Sequence, residues 1–304
     1  MSKYSISLSG KDKKFLKAQF GDTYKFIQNE AEVLDVGCST GYFGKLLKID
    51  KNCSVYGIDI DKDDLKKASA VLDKTLLVNL EEPNLPDELL KNKFDVIFFG
   101  DVIEHVLNPK NILANFRKLL KKNGIIIISV PNIAHMSIRL ELLSGNFDYE
   151  PLGILDETHT KYFTYKSITQ LIQESGYEIS VVDYSVVEVP KKTIQYFLSK
   201  AGLEARSKFN TIINQPESLA YQFKIVARPS IKKFVKKVPS LKTKPLAHKH
   251  QEELKVLNDK QIQIEKQKNE IQELINELEG MKNSTSWKVT KPLRKAKNII
   301  KRKG

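Results

Sequence analysis

Cysteine is nearly absent: Cys38 and Cys53 are the only two in 304 residues. Two thiols cannot build a multi-bridge framework and show no metal-ligand spacing, so a disulfide-stapled secreted scaffold is excluded and a reducing, cytoplasmic setting is expected. Long apolar runs are also missing. The best, Ile125 to Val130, is strand-sized, far short of the roughly 20 residues of a membrane span. Met1 to Lys14 is polar and has no apolar core of a secretory signal. Acidic charge is scarce in only one region. Residues 1–227 carry 29 Lys+Arg and 29 Asp+Glu, whereas residues 228–304 carry 21 and 8, so the whole net charge of +13 sits in the last quarter. A basic tail on a neutral body points to an anionic partner, such as a membrane surface, a nucleic acid or an acidic protein. A hydrophobic fraction of 41% is enough for a real core.

Strand and helix patterns alternate from about residue 11 to 228. Strands are expected at Glu32 to Gly37, Ser54 to Ile60, Thr75 to Leu80, Phe94 to Gly100, Ile125 to Val130, Tyr177 to Val189 and Leu219 to Ala227. Helices are expected at Lys13 to Gln28, Gly41 to Ile49, from Asp61, Pro109 to Lys122, Tyr165 to Ser175 and around Thr193 to Leu203. Such alternation gives the α/β class, a doubly wound parallel sheet covered on both faces. Residues 131–163, rich in Pro, Asn, His, Gly and aromatics, are too long for a simple connection and read as a functional loop.

The expected domain spans 1–228. A Pro/Lys-rich linker follows at 229–248, then a coiled coil at 249–281, where Leu257, Ile264, Ile271 and Leu278 fall seven apart. A lone helix of this kind is marginal in water, so a partner helix is expected. Residues 282–304 form a basic amphipathic tail, with Val289, Leu293, Ala296 and Ile300 on one face, suited to a membrane surface or a partner groove.

The first strand runs into the turn Gly37-Cys38-Ser39-Thr40-Gly41. Glycine turns of this kind bring backbone close to a ligand at a helix N-terminus. Asp35, two residues earlier, would repel a pyrophosphate but suits an ammonium. Asp59, 22 residues after Gly37 at the end of the next strand, is placed to accept from two ribose hydroxyls. A ligand with free ribose hydroxyls, a cationic amino acid and no phosphate is S-adenosylmethionine.

Val33 to Gly44, Tyr56 to Asp61, Val78 to Glu82 and Phe94 to His105 resemble, in order, the successive motifs of class I S-adenosylmethionine-dependent methyltransferases. The resemblance implies a mostly parallel, seven-stranded Rossmann-like sheet. It implies that Asp35, Gly37, Cys38, Ser39 and Gly41 lie at the methionine end and that Asp59 and Ile60 flank the ribose. Asn79 and Leu80 would lie near adenine, and Gly100 and Asp101 beside the sulfonium. Ser39 stands where many members have glycine, and Asn79 where aspartate is common.

Asp101, Glu104 and His105 follow the fourth strand, and His159 lies in Asp156-Glu-Thr-His159. Two carboxylates and imidazoles suit a divalent cation. The set resembles that of small-RNA 3′-terminal 2′-O-methyltransferases, and ubiquinone-biosynthesis O-methyltransferases share a similar Glu-His stretch. The resemblance implies a magnesium-like ion, Mg2+, there. His159 is the candidate general base, or a ligand if metal binds, with Glu104 as its catalytic companion; Glu104 and His105 alternatively only orient the loop. His135 is a site candidate that equally suits a cap of the loop beneath the acceptor site.

Residues 130–159 resemble a MetW-like bacterial subgroup linked to surface-polysaccharide synthesis. Ser284 to Arg294, around Trp287, looks like a segment of glycan-assembly glycosyltransferases. The expected function is therefore O-methylation of a glycan or glycan intermediate. The coiled coil would join a second copy or a glycosyltransferase, and the tail would lie at the inner face of the membrane. The alternatives are a small-molecule or quinone-type O-methyltransferase and a non-catalytic scaffold. Nucleic acid is disfavoured, because the tail has one aromatic and the body is neutral.

Overall fold

The computed structural model describes residues 21–205, 207–230 and 239–242. Seven strands form one sheet: β1 (Glu32–Val36), β2 (Ser54–Asp59), β3 (Lys74–Leu77), β4 (Phe94–Gly100), β5 (Leu120–Pro131), β6 (Tyr177–Val186) and β7 (Ala220–Pro229). Their order is β3-β2-β1-β4-β5-β7-β6. β7 is antiparallel to both of its neighbours, and the other pairings are parallel. This is the expected seven-stranded, mostly parallel architecture. The helices are α1 (Tyr42–Lys51), α2 (Lys62–Ala68), α3 (Asp87–Leu90), α4 (Pro109–Phe116), α5 (Met136–Leu143), α6 (Tyr165–Glu174), α7 (Lys191–Lys200), α8 (Ser207–Ile213) and α9 (Pro216–Leu219).

The central strands are mostly apolar because both faces are buried, with Asp35 in β1 and Ser129 in β5 as buried polar exceptions. Alternate residues point to opposite faces. Leu34, Ile58, Ile97, Phe99, Ile126 and Ile128 pack with Leu113 and Phe116 of α4 and Ile168 and Ile172 of α6. Val33, Val55, Val96, Phe98 and Ile127 pack with Phe43, Leu46 and Leu47 of α1 and Leu65 and Ala68 of α2.

Several expected boundaries move. The helix expected to reach Lys122 ends at Phe116, and a 3₁₀ turn covers Arg117–Leu119. β5 then starts at Leu120, with an irregular register between the pairs Phe94↔Leu120 and Val96↔Ile125. Helical spacing of Ile112, Leu113, Phe116 and Leu119 hid this, since the same residues bury in one core either way. The strand expected to reach Leu80 stops at Leu77. The helix expected at Lys13 to Gln28 is, where described, a 3₁₀ turn at Gly21–Phe26.

Residues 131–163 are not one irregular loop, because α5 forms within them. Its N-cap is His135, whose Nδ1 faces Ser137 N at 3.3 Å, a cap the sequence does not advertise. Within the expected linker, residues 239–242 return to the domain. Tyr165 Oη bonds Pro239 O, Tyr184 Oη donates to Lys242 O at 2.8 Å, and Leu241 packs on the core. The expected coiled coil at 249–281, the tail at 282–304 and Trp287 lie outside the described residues. Among the described residues, no helix is long and apolar enough to cross a membrane.

Candidate active site

Because β1, β2 and β4 run parallel, their C-terminal ends share one edge of the sheet, where ligands of such sheets bind. Gly37 follows β1 with φ +69°, and a Cβ there would stand 2.6 Å from Val102 Cγ2, so the turn and the β4 loop touch through a position that only glycine fills. The amides of Gly37 and Cys38 both donate to Ile58 O, at 2.8 and 3.1 Å, tying the turn to β2. Cys38 itself is buried with Phe43, Leu65 and Leu72, so its side chain serves the core. Gly41 caps α1 with φ +78°.

Ser39 also has positive φ, +46°. Two carboxylates hold it there. Its amide donates to Asp59 Oδ2 and its hydroxyl to Asp64 Oδ2, both at 2.8 Å. Asp64 is buried and paired with Lys67 at 2.9 Å. Sequence reasoning missed Asp64, since an acid in a helix's first turn reads as dipole compensation. Asp59 also accepts from Asp61 N at 2.9 Å through Oδ1, so both oxygens are fixed and each keeps a lone pair for a ribose hydroxyl.

Ile60 beside it is 66% exposed, an apolar surface available to a nucleobase. Asn79 Oδ1 accepts from Glu81 N at 3.0 Å, which leaves that oxygen one further lone pair, and Leu80 packs partly on the core. Asp35 is 3% exposed, and its Oδ2 has no hydrogen-bond partner. Burial, reinforced by the charge of Asp59 and opposed by the Gly44 amide, pushes its carboxyl up to about 8. A buried acceptor of this kind fits the ammonium of S-adenosylmethionine.

β4 ends at Gly100, and Asp101 follows with φ +55°. Its carboxylate accepts from Gln222 Nε2 at 2.7 and 2.8 Å and from Ser129 Oγ at 2.9 Å. Three of the four expected metal ligands do converge. Among the described residues, Glu104, His105 and His159 offer ligand atoms all within 4.8 Å of one another. Asp101 is not in that group.

Glu104 is 0% exposed, and neither carboxylate oxygen has a partner. Burial, then the charge of Asp101, raises its carboxyl well above the usual range. His105 Nδ1 faces Thr158 O at 3.2 Å, and His159 Nδ1 faces Ile154 O at 3.0 Å. A carbonyl only accepts, so each Nδ1 carries hydrogen, and the lone pair of the neutral ring lies on Nε2. Burial, then the neighbouring His159, holds the His105 imidazole below its ordinary range. The loops are sewn together by Thr160 and Lys161, whose amides donate to Glu104 O at 2.9 Å.

Two imidazoles and one carboxylate fit a divalent cation, and this donor set does not favour the expected Mg2+. That hard ion prefers oxygen, whereas mixed N/O donors suit manganese, iron or zinc. His135 lies elsewhere. Its Nε2 donates to Val187 O at 2.8 Å, so it caps α5 and does not join the trio. Beside the trio stands an aromatic wall: the Tyr162 ring lies 6.2 Å from His159 and 5.7 Å from Phe147, which in turn lies 5.6 Å from Tyr149.

A family model described as a methyltransferase domain matches residues 13–181. The chain is similar to the ubiquinone biosynthesis O-methyltransferase of Rickettsia canadensis, at 26% identity over 165 residues, covering 54% of this chain and 69% of that protein. It is also similar to the protein of the same name from Psychrobacter arcticus, at 26% over 151 residues, 48% of this chain and 58% of that one. Among solved structures, a SAM-dependent methyltransferase from Archaeoglobus fulgidus matches with TM-score 0.49 and 18% identity, covering 71% of this chain and 93% of that chain.

Proposed function

The chain belongs to the methyltransferase-domain family, and from that premise we propose that it transfers a methyl group from S-adenosylmethionine to a hydroxyl of a small quinol- or catechol-type acceptor. The observation that carries this reading is the trio Glu104, His105 and His159, which lies just beyond the β4 end of the cofactor edge. The names of the curated relatives favour a quinol-type acceptor over the glycan expected from the sequence, and the wall of Phe147, Tyr149 and Tyr162 suits a planar ring.

Asp35 receives the ammonium of the cofactor, and Asp59 receives the ribose hydroxyls. Transfer from a sulfonium carbon needs in-line approach and loss of the hydroxyl proton. Positioning by the trio and the wall supplies the first. For the second, Glu104 in its ionised form takes the proton at an Oε atom, its burial making that carboxylate a stronger base than an exposed one. If a divalent cation bound there, Glu104, His105 and His159 would hold it, and its charge would lower the pKa of the acceptor hydroxyl in place of the base role of Glu104. The basic tail then keeps the enzyme against an anionic membrane face, where an apolar acceptor resides, and the heptads of 249–281 join a second copy.

Methyl-labelled S-adenosylmethionine tests this with two acceptors, a dihydroxybenzoate and an oligosaccharide. Label on the catechol oxygen, with S-adenosylhomocysteine as co-product, is expected. Label on the sugar alone would overturn the quinol reading in favour of the glycan one.

A further inference from the structure

Asp101 is the residue through which the two halves of the site meet. It is followed directly by Val102, the side chain against Gly37. Its charge acts on Tyr42, at the start of α1 on the cofactor side, and on Glu104 and His105 on the acceptor side. It also holds a left-handed backbone, φ +55°, which is uncommon outside glycine and which its surroundings stabilise here.

The surroundings are two. Ser129 on β5 accepts the Asp101 amide through its carbonyl at 3.3 Å and its hydroxyl at 3.1 Å, and that hydroxyl reaches Asp101 Oδ1 at 2.9 Å. Gln222 on β7 spans both carboxylate oxygens from one amide nitrogen. Gln222 is itself locked by the sheet, where it pairs with Pro131 of β5 and Ser185 of β6.

We infer that Gln222 is a positioning residue for methyl transfer: it fixes the rotation of the Asp101 carboxylate so that its negative charge faces the cationic end of bound S-adenosylmethionine instead of swinging to the Glu104–His105–His159 trio three residues on. The inference rests on the cofactor reading above. Its physical basis is that an aspartate has two side-chain torsions, χ1 and the broad χ2 that turns the carboxylate, and a donor shared by both oxygens restricts them. Removing the donor leaves the charge in place but held at Oδ1 by the Ser129 hydroxyl alone, with Oδ2 released.

The test compares the wild-type chain, Gln222→Leu and the exchanged pair Asp101→Asn with Gln222→Glu. Thermal melting and calorimetric binding of S-adenosylmethionine are the readouts. Gln222→Leu is expected to weaken cofactor binding about tenfold, the scale of one charge-assisted hydrogen bond, while melting changes little. The exchanged pair rebuilds an amide–carboxylate contact, with the amide now on residue 101. It is expected to melt like wild type yet bind the cofactor at least about tenfold more weakly, because the charge has moved to the other strand. If Gln222→Leu does not fold, the exchanged pair decides. Binding within twofold of wild type in a folded Gln222→Leu, or full recovery of binding in the exchanged pair, would overturn the inference and make the contact a structural tie. No cofactor binding by the wild-type chain would overturn the functional reading, and this inference with it.

Discussion

Glu104→Gln is expected to lower methyl transfer by about two to three orders of magnitude while S-adenosylmethionine affinity stays within about twofold. The substitution keeps the size of a fully buried side chain and removes only its ability to carry charge or take a proton. The wild-type carboxyl is buried with both oxygens unpartnered, an arrangement that costs stability and persists at sites where function needs it. The variant is therefore expected to melt at or above the wild-type temperature, which separates lost chemistry from lost folding. His159→Ala refines the result. If the trio holds a cation, His159→Ala is about as damaging as Glu104→Gln, a chelator abolishes transfer, and manganese restores it more readily than magnesium. If Glu104 acts as a base alone, transfer ignores the chelator. Full activity in Glu104→Gln with a defined acceptor would return the trio to a structural role.

Binding of S-adenosylmethionine is expected to be strongest near pH 8 and to weaken by about 25-fold at pH 6. The cause is Asp35, whose carboxyl is raised to about 8 by burial and the charge of Asp59, with the Gly44 amide working against them. Below that value the free protein holds a proton on Asp35, and the cofactor ammonium, with a pKa near 8, holds its own. The bound pair shares one proton between carboxyl and amine. Binding at pH 6 must therefore expel a proton, at about tenfold in affinity per pH unit. Above pH 8 the amine loses its proton and the advantage fades. The amino-acid end of S-adenosylhomocysteine is the same, so its titration should show the same limb. Calorimetry in buffers of different ionisation enthalpy should count about one proton released at pH 6. Asp35→Asn should flatten the profile. A flat wild-type profile between pH 6 and 8 would contradict contact between Asp35 and the ammonium.

What the sequence made legible was local. Asp35, Gly37, Gly41 and Asp59 lie within two consecutive strand ends, and each is defined by its offset from a turn, so short-range patterning finds them. Glu104 and His105 were legible for the same reason. The convergence of His159 with them was readable only through resemblance, because it depends on Thr160 and Lys161 binding Glu104 O across more than fifty residues. Gln222 carried no signal at all. It reaches Asp101 only because β7 inserts antiparallel between β5 and β6, and nothing near Gln222 announces that pairing. Asp101 stands outside the trio for the same reason: its spacing from Glu104 suits a ligand, but its carboxylate is held from another strand. The serine in the glycine turn was likewise explained only in three dimensions, by Asp64 beneath it. Helix α5 stayed hidden because its cap is a histidine, not one of the usual short polar residues.

The most direct measurement is calorimetric binding of S-adenosylmethionine to the wild-type chain and to Asp59→Ala at pH 8. Asp59 is fixed by two backbone amides and aims its remaining lone pairs at the edge where β1 and β2 end. Losing it is expected to cost about 2 to 3 kcal/mol of binding, roughly 30- to 150-fold in Kd. Equal affinity in the two proteins would contradict the placement of the cofactor at this edge.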